Sequence, residues 1–252
     1  MTDNLKSSST PHPSCDLPVN DQRIYRYMDL WKFIDLLQRK SLYFCRADKL
    51  QDEYEGTYSR FQIEEVMIEP LKKRAPTLIA QEMKQIESLR KNFFINCWCM
   101  SEIDTHLMWK THIISCPGLA IQSTYHFLRT SIDMMEVGEY YPIEISIVKY
   151  YDQIETGVIN WYDGFDAFVN KDVHFHLDNE LRALCRFNTT DYSMNHIYIE
   201  IHLSTLIESI IVSPGAPGEF VECVRNLMIN YGLKDKIVKE SRYDQQKNKL
   251  SF

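Results

Sequence analysis

From residue 23 onward the chain reads as short alternating runs broken by helical spacing. In RIYRYM, residues 23 to 28, side-chain character changes with a period of two, which predicts a strand. Asp29 follows, and then Leu30, Phe33, Ile34 and Leu37 recur on one helical face, so LWKFIDLLQRK is predicted as a helix capped by Asp29. SLYFCRA is a second strand, which places strand, helix and strand within the first 46 residues. Residues 58–92 are charged and helix-prone but carry Pro70 and Pro76, which lack the amide donor, so they predict a two-helix insertion. NFFINCWCM is aromatic and apolar enough for a buried strand; a short helix containing LMWKTH and a strand PGLAIQS come next. YYPIEISIVKY has the clearest β-branched content, and ELRALCRF, HIYIEIHL and LIESIIVS are shorter alternating runs. GEFVECVRNLMINYG predicts a terminal amphipathic helix ending at Gly232.

These elements predict an α+β fold: one domain over residues 21–252, with a mixed or antiparallel sheet, flanking helices and the helical insertion. Residues 1–20 are rich in Ser, Pro and Thr and poor in large apolar groups, and are expected to form a flexible tail. A chain of 252 residues with 44% hydrophobic content suffices for one sizeable core. No run of eighteen apolar residues occurs and the N-terminus is polar and acidic, so the expectation is a cytoplasmic protein with no membrane partner. The seven scattered cysteines fit reduced thiols better than a disulfide framework. A net charge of −7 argues against general nucleic-acid binding, which needs clustered Lys and Arg to release counterions.

Three stretches carry candidate chemistry. CRADKLQDEYEG follows a predicted strand; Asp52 and Glu55 are placed to bind a cation or orient a polar ligand, with Gly56 letting the chain turn, and the plain alternative is a solvated acidic turn. Its acids and Arg46 are expected on the rim of a pocket shared with Glu180. In SEIDTHLMWKTH, Glu102, Trp109 and His112 crowd one loop and helix, against a packing role for Met108 and Trp109. HFHLDNELR is read as opening into a strand that sets Asp178 and Glu180 on one face with Arg182 next along it. Such a trio is either a tuned acid–base or ligand-orienting site or a salt bridge between Glu180 and Arg182. No metal is expected: CWC at 97 to 99 and the pair His174 and His176 lack the further ligands a metal site needs. The usual phosphate-loop, dinucleotide, serine-hydrolase and zincin motifs do not occur.

Taken in order, IYRYMDLWKFIDLLQRKSLYFCRADKLQDEYEG, CWCMSEIDTHLMWKTHIISCPGLAIQS, DNELR and IESIIVSPGA resemble the bacterial family called domain of unknown function twenty-nine seventy-one. The likeness spans nearly all of residues 23–240, with Asp52 and Glu55 matching its acidic loop and Asp178, Glu180 and Arg182 its E-x-E-W-R-like strand. More distantly, the chain is similar to ADP-ribosyltransferases in its Tyr-Arg first strand and its later Asp178-Asn179-Glu180, although Phe44-Cys45-Arg46 stands where those enzymes carry Ser-Thr-Ser. That resemblance implies NAD as a substrate and a macromolecular acceptor, in a toxin or phage-defence setting. Arg26 would grip the pyrophosphate, Tyr27 or Tyr43 would stack on nicotinamide, Glu180 would stabilise the cationic ribose, and Asp178 would orient the acceptor. Two rival readings stand beside it: a non-catalytic module recognising a nucleotide or partner through Asp52, Glu55, Trp109 and Arg182, and a metal-assisted hydrolase using Asp52, Glu55, Asp178 and Glu180.

Overall fold

The computed structural model describes residues 11–50, 52, 56–57, 63–64, 68–113, 117–133, 143–152, 164–187 and 193–241. In chain order these form β1 (Arg23–Asp29), α1 (Leu30–Arg39), β2 (Ser41–Arg46), α2 (Glu69–Arg74), α3 (Ile79–Asn92), β3 (Phe93–Met100), α4 (His106–His112), β4 (Gly118–Thr124) and α5 (Tyr125–Asp133). Then come β5 (Glu144–Ile147), β6 (Lys149–Tyr151), α6 (Asp166–Val169), β7 (Asn170–Asp172), β8 (Glu180–Arg186), β9 (His196–Glu200), α7 (Leu203–Leu206), β10 (Ser209–Val212), α8 (Gly218–Asn230) and β11 (Ile237–Glu240). The result is a single-domain α+β fold on a nine-stranded sheet, antiparallel throughout except between β10 and β11. β6 and β7 make a separate parallel pair.

β3 is the hub, because its eight mostly apolar residues are buried on both faces. One edge pairs with β8 along its length, from Phe93↔Arg186 to Cys99↔Glu180, and β8 then pairs with β5. The other edge is shared: β2 takes the start through Cys45↔Ile95 and Arg46↔Phe94, and β1 takes the end through Tyr25↔Cys99 and Ile24↔Met100. The sheet therefore forks. One arm runs from β1 through β4 and β10 to β11, and the other from β2 to β9. Side chains bridge the gap at the fork. Arg26 Nη1 donates to the Cys97 carbonyl at 2.6 Å, and Asn96 Nδ2 donates to the Tyr43 carbonyl at 2.8 Å. Lys40, at φ 50, turns the end of α1 directly into β2.

The main core lies on one face, where Phe33 and Leu37 of α1, Leu128 and Ile132 of α5 and Val224 and Met228 of α8 pack on Ile24, Trp98, Leu181 and Ile210. The opposite face carries two smaller clusters. Phe93, Ile95, Leu184, Phe165 and Phe168 form one; Tyr25, Tyr27, Cys99, Met108, Trp109 and Ile211 form the other.

Several expectations change. Residues 11–20 are not a loose tail: the Asp16 amide donates to Ser146 Oγ at 3.0 Å, the Ile147 amide donates to the Asp16 carbonyl at 2.8 Å, and His12 stacks on Phe165 at 4.3 Å. The segment thus covers the outer edge of β5. YYPIEISIVKY is not one strand. β5 ends at Ile147, the Val148 amide turns to the Glu180 carbonyl at 3.0 Å, and β6 pairs elsewhere. Asp29 precedes α1 but its side chain accepts no capping hydrogen bond; it lies 3.9 Å from Lys32. Among the described residues of the insertion are the helices α2 and α3, with Pro70 in the first turn of α2 and Pro76 opening a 3-10 turn before α3, while Ile63, Glu64 and Ile68 also have helical backbone.

Candidate site at the fork and the strand β8

Asp178 and Glu180 do not lie side by side on a strand. Val173–Asp178 is a 3-10 turn, and Asn179 adopts φ 43, held by its Nδ2 on the Met100 carbonyl at 2.6 Å. Asn tolerates this left-handed geometry better than most residues, and it lets β8 begin at Glu180. A residue the sequence reading passed over reunites the acids: Lys171 Nζ donates to Asp178 Oδ2 at 3.0 Å and to Glu180 Oε1 at 2.7 Å. Arg182 Nε donates to Glu180 Oε2 at 2.7 Å, and its Nη1 donates to the Phe168 carbonyl at 2.8 Å. Tyr150, also missed, accepts the Glu180 amide at 2.9 Å.

The network lies where the two clusters of the second face meet, since Cys99↔Glu180 adjoins one and Cys97↔Arg182 the other. Glu180 and Arg182 are both buried. Burial alone would raise the Glu180 pKa, but Arg182 and Lys171 outweigh it and hold the carboxyl at about 2. Glu180 is therefore a fixed anion at neutral pH, unsuited to proton transfer. On the neighbouring strand the Cys99 thiol is pushed up to about 12, first by burial and then by Asp178 and Glu180, so it is not a ready nucleophile.

Arg26 stands at the fork. Its partner across the ladder is Ile121, so its Cα–Cβ bond leaves the sheet on the main-core face, opposite Tyr25 and Tyr27. The guanidinium is half-buried, makes one hydrogen bond, to the Cys97 carbonyl, and has no ion pair among the described residues. Burial lowers its pKa, opposed by Cys97. His112, at the end of α4, stacks near Tyr27 with ring centroids 6.1 Å apart and reaches the surface. The protein around it lowers the imidazole pKa, with smaller upward pulls from Asp178 and Glu180 and downward pulls from Arg26 and Lys32. His112 thus lies within electrostatic reach of both the Glu180 network and Arg26.

Other candidates are committed elsewhere. Trp109 is buried, donates Nε1 to Asp104 Oδ2 at 3.0 Å and meets Tyr27 edge-on at 4.7 Å. The Tyr27 hydroxyl accepts the Thr105 amide at 3.1 Å. Tyr43 sits on the other arm, stacked on His196 at 5.0 Å. Arg46 is buried and grips Asp48 with Nε at 2.6 Å and Nη2 at 3.1 Å, while Nη1 donates to the Met194 carbonyl. Arg46 pairs with Phe94 and Glu180 with Cys99, so about 16 Å of β3 lies between the two, and Arg46 does not share a rim with Glu180. Glu102 is solvent-exposed, 3.8 Å from Arg23. Asp52 is half-buried and Glu55 lies outside the described residues; Gly56, at φ +66, packs so closely on Phe168 that a Cβ there would sit 2.1 Å from its ring. The early loop thus reaches a neighbour of Arg182 through Gly56.

Among the described residues no group of three His, Cys, Asp or Glu is placed to hold a metal ion, and no helix is long and apolar enough to cross a membrane. Lys171 and Arg182 already occupy the two oxygens Glu180 would offer a cation. A polar hollow of about 50 Å³ beside Arg23, Asp104, Gln122 and Lys239 does not include Glu180. No family model, curated protein or solved structure matches the chain.

Proposed function

We propose that this chain binds a nucleotide of the NAD class at the fork, with the Arg26 guanidinium, drawn into the gap between β1 and β2 by the Cys97 carbonyl, taking the pyrophosphate, and His112 and the Glu180 network on the second face flanking the remainder. The observation that carries the reading is Arg26, a half-buried guanidinium with a single bond to a carbonyl and no ionic partner among the described residues. A desolvated charge destabilises the unliganded protein, and a ligand phosphate would supply both the counter-charge and a second acceptor for a bidentate grip. In this reading the NAD is cleaved at the nicotinamide–ribose bond and ADP-ribose passes to an acceptor or to water. Glu180, anionic throughout, would offset the positive charge that develops on the ribose.

A second reading, nucleotide binding without turnover, is favoured by one feature: both Glu180 oxygens are already bonded, to Lys171 and Arg182. NAD consumption by wild type and Glu180→Gln, with and without cell extract as acceptor source, separates the two. Turnover in wild type that the variant loses supports cleavage. Saturable NAD binding with no turnover supports the second reading, and no binding by folded wild type removes both.

A further inference from the structure

β9, His196–Glu200, ends the shorter arm of the sheet. Its one ladder is to β2, in the register Ser41↔Glu200 through Cys45↔His196, and no strand among the described residues pairs with its outer edge. The Arg46 amide donates to the Asn195 carbonyl and the Ile201 amide to the Lys40 carbonyl, so the odd-numbered residues of β9 bond inward. The backbone groups of His196, Tyr198 and Glu200 therefore point outward, ready to pair with another strand.

The sequence of this edge is complementary to itself. A twofold axis through Tyr198, perpendicular to the sheet, would pair Tyr198 with Tyr198 of a second copy, Ile197 with Ile199 and His196 with Glu200. The three outward residues would then make about six interchain hydrogen bonds. Each face would meet its like, because Ile197 and Ile199 are buried in the main core while His196 and Glu200 are exposed on the other side. Imidazole would face carboxylate at both ends. Tyr198 is already held in place, its hydroxyl on Asp35 Oδ2 at 3.0 Å and its ring under the Arg39 guanidinium at 4.3 Å. On α1, Arg39 is paired with Asp35 and Lys32 with Asp29.

We propose that β9 is a homodimer edge, two copies pairing antiparallel about Tyr198 to join their sheets. The proposal is independent of the nucleotide reading. Sedimentation equilibrium of the full chain from micromolar to millimolar concentration should show a species of twice 29.9 kDa. His196→Glu sets like charges at both ends and should weaken dimerisation about tenfold. Adding Glu200→Lys to that variant restores opposite charges and should restore the dimer, a rescue that misfolding would not produce. Wild type that stays monomeric at every concentration, or a dimer indifferent to His196→Glu, would overturn the proposal; the first would leave the edge to an extended peptide of another protein.

Discussion

Arg182 and Glu180 stand two residues apart on one face of β8, with Nε 2.7 Å from Oε2 and both residues buried. Removing Arg182 leaves the acid with Lys171 alone and one oxygen, Oε2, without its donor. Arg182→Met is expected to destabilise the fold by about 3 kcal/mol, because a buried carboxylate that loses one of its two cations costs more than the pair contributes. The double change Arg182→Met with Glu180→Leu should recover most of that loss, and urea denaturation of the two variants measures the difference.

Acid should release the same interaction. The Glu180 pKa falls from an ordinary 4.5 to about 2 on folding, so its contribution is complete above about pH 4.5 and vanishes as pH falls toward 2. The expected size is about 3 kcal/mol. Unfolding free energies of wild type and Glu180→Gln should keep a constant gap from pH 7 to 5 and converge below it. A gap independent of pH would show that folding leaves the Glu180 pKa unshifted, and a wild type that gains stability relative to the variant as pH falls would show a carboxyl kept neutral in the folded state.

Gly56→Ala should be costly for two reasons: the residue sits at φ +66, and a Cβ would collide with the Phe168 ring. A loss of about 2 kcal/mol or more is expected. Since the Phe168 carbonyl accepts from Arg182, the change should also perturb the Glu180 network, visible as a shifted acid transition.

Arg26→Met should separate stability from function. Burial without an ionic partner makes the guanidinium a liability in the free protein, so the unfolding midpoint should stay level or rise while nucleotide affinity falls. A clear drop in midpoint would instead mark the bond to the Cys97 carbonyl as a structural bridge of the fork.

Local pattern made much of the fold legible. RIYRYM, SLYFCRA and the spacing of Leu30, Phe33 and Leu37 each encode their element within a few residues, and Pro70 and Pro76 punctuate the insertion. What stayed hidden is nonlocal. Nothing in RIYRYM tells that β3 gives up its edge to β2 halfway, leaving Arg26 at a fork. Lys171 shows no periodic signal, since it reaches Asp178 and Glu180 only because the intervening turn folds back on it. The expected shared face of Asp178 and Glu180 fails at one residue, Asn179, whose positive φ breaks the alternation. Arg46 looked free because Asp48, two residues on, could equally have faced solvent.

The most direct measurement is calorimetric titration of NAD into wild type and Arg26→Met, each first shown to be folded. Saturable binding by wild type, weakened at least tenfold in the variant, is the predicted result. Equal binding by both proteins, or none by wild type, would contradict a nucleotide site built on Arg26.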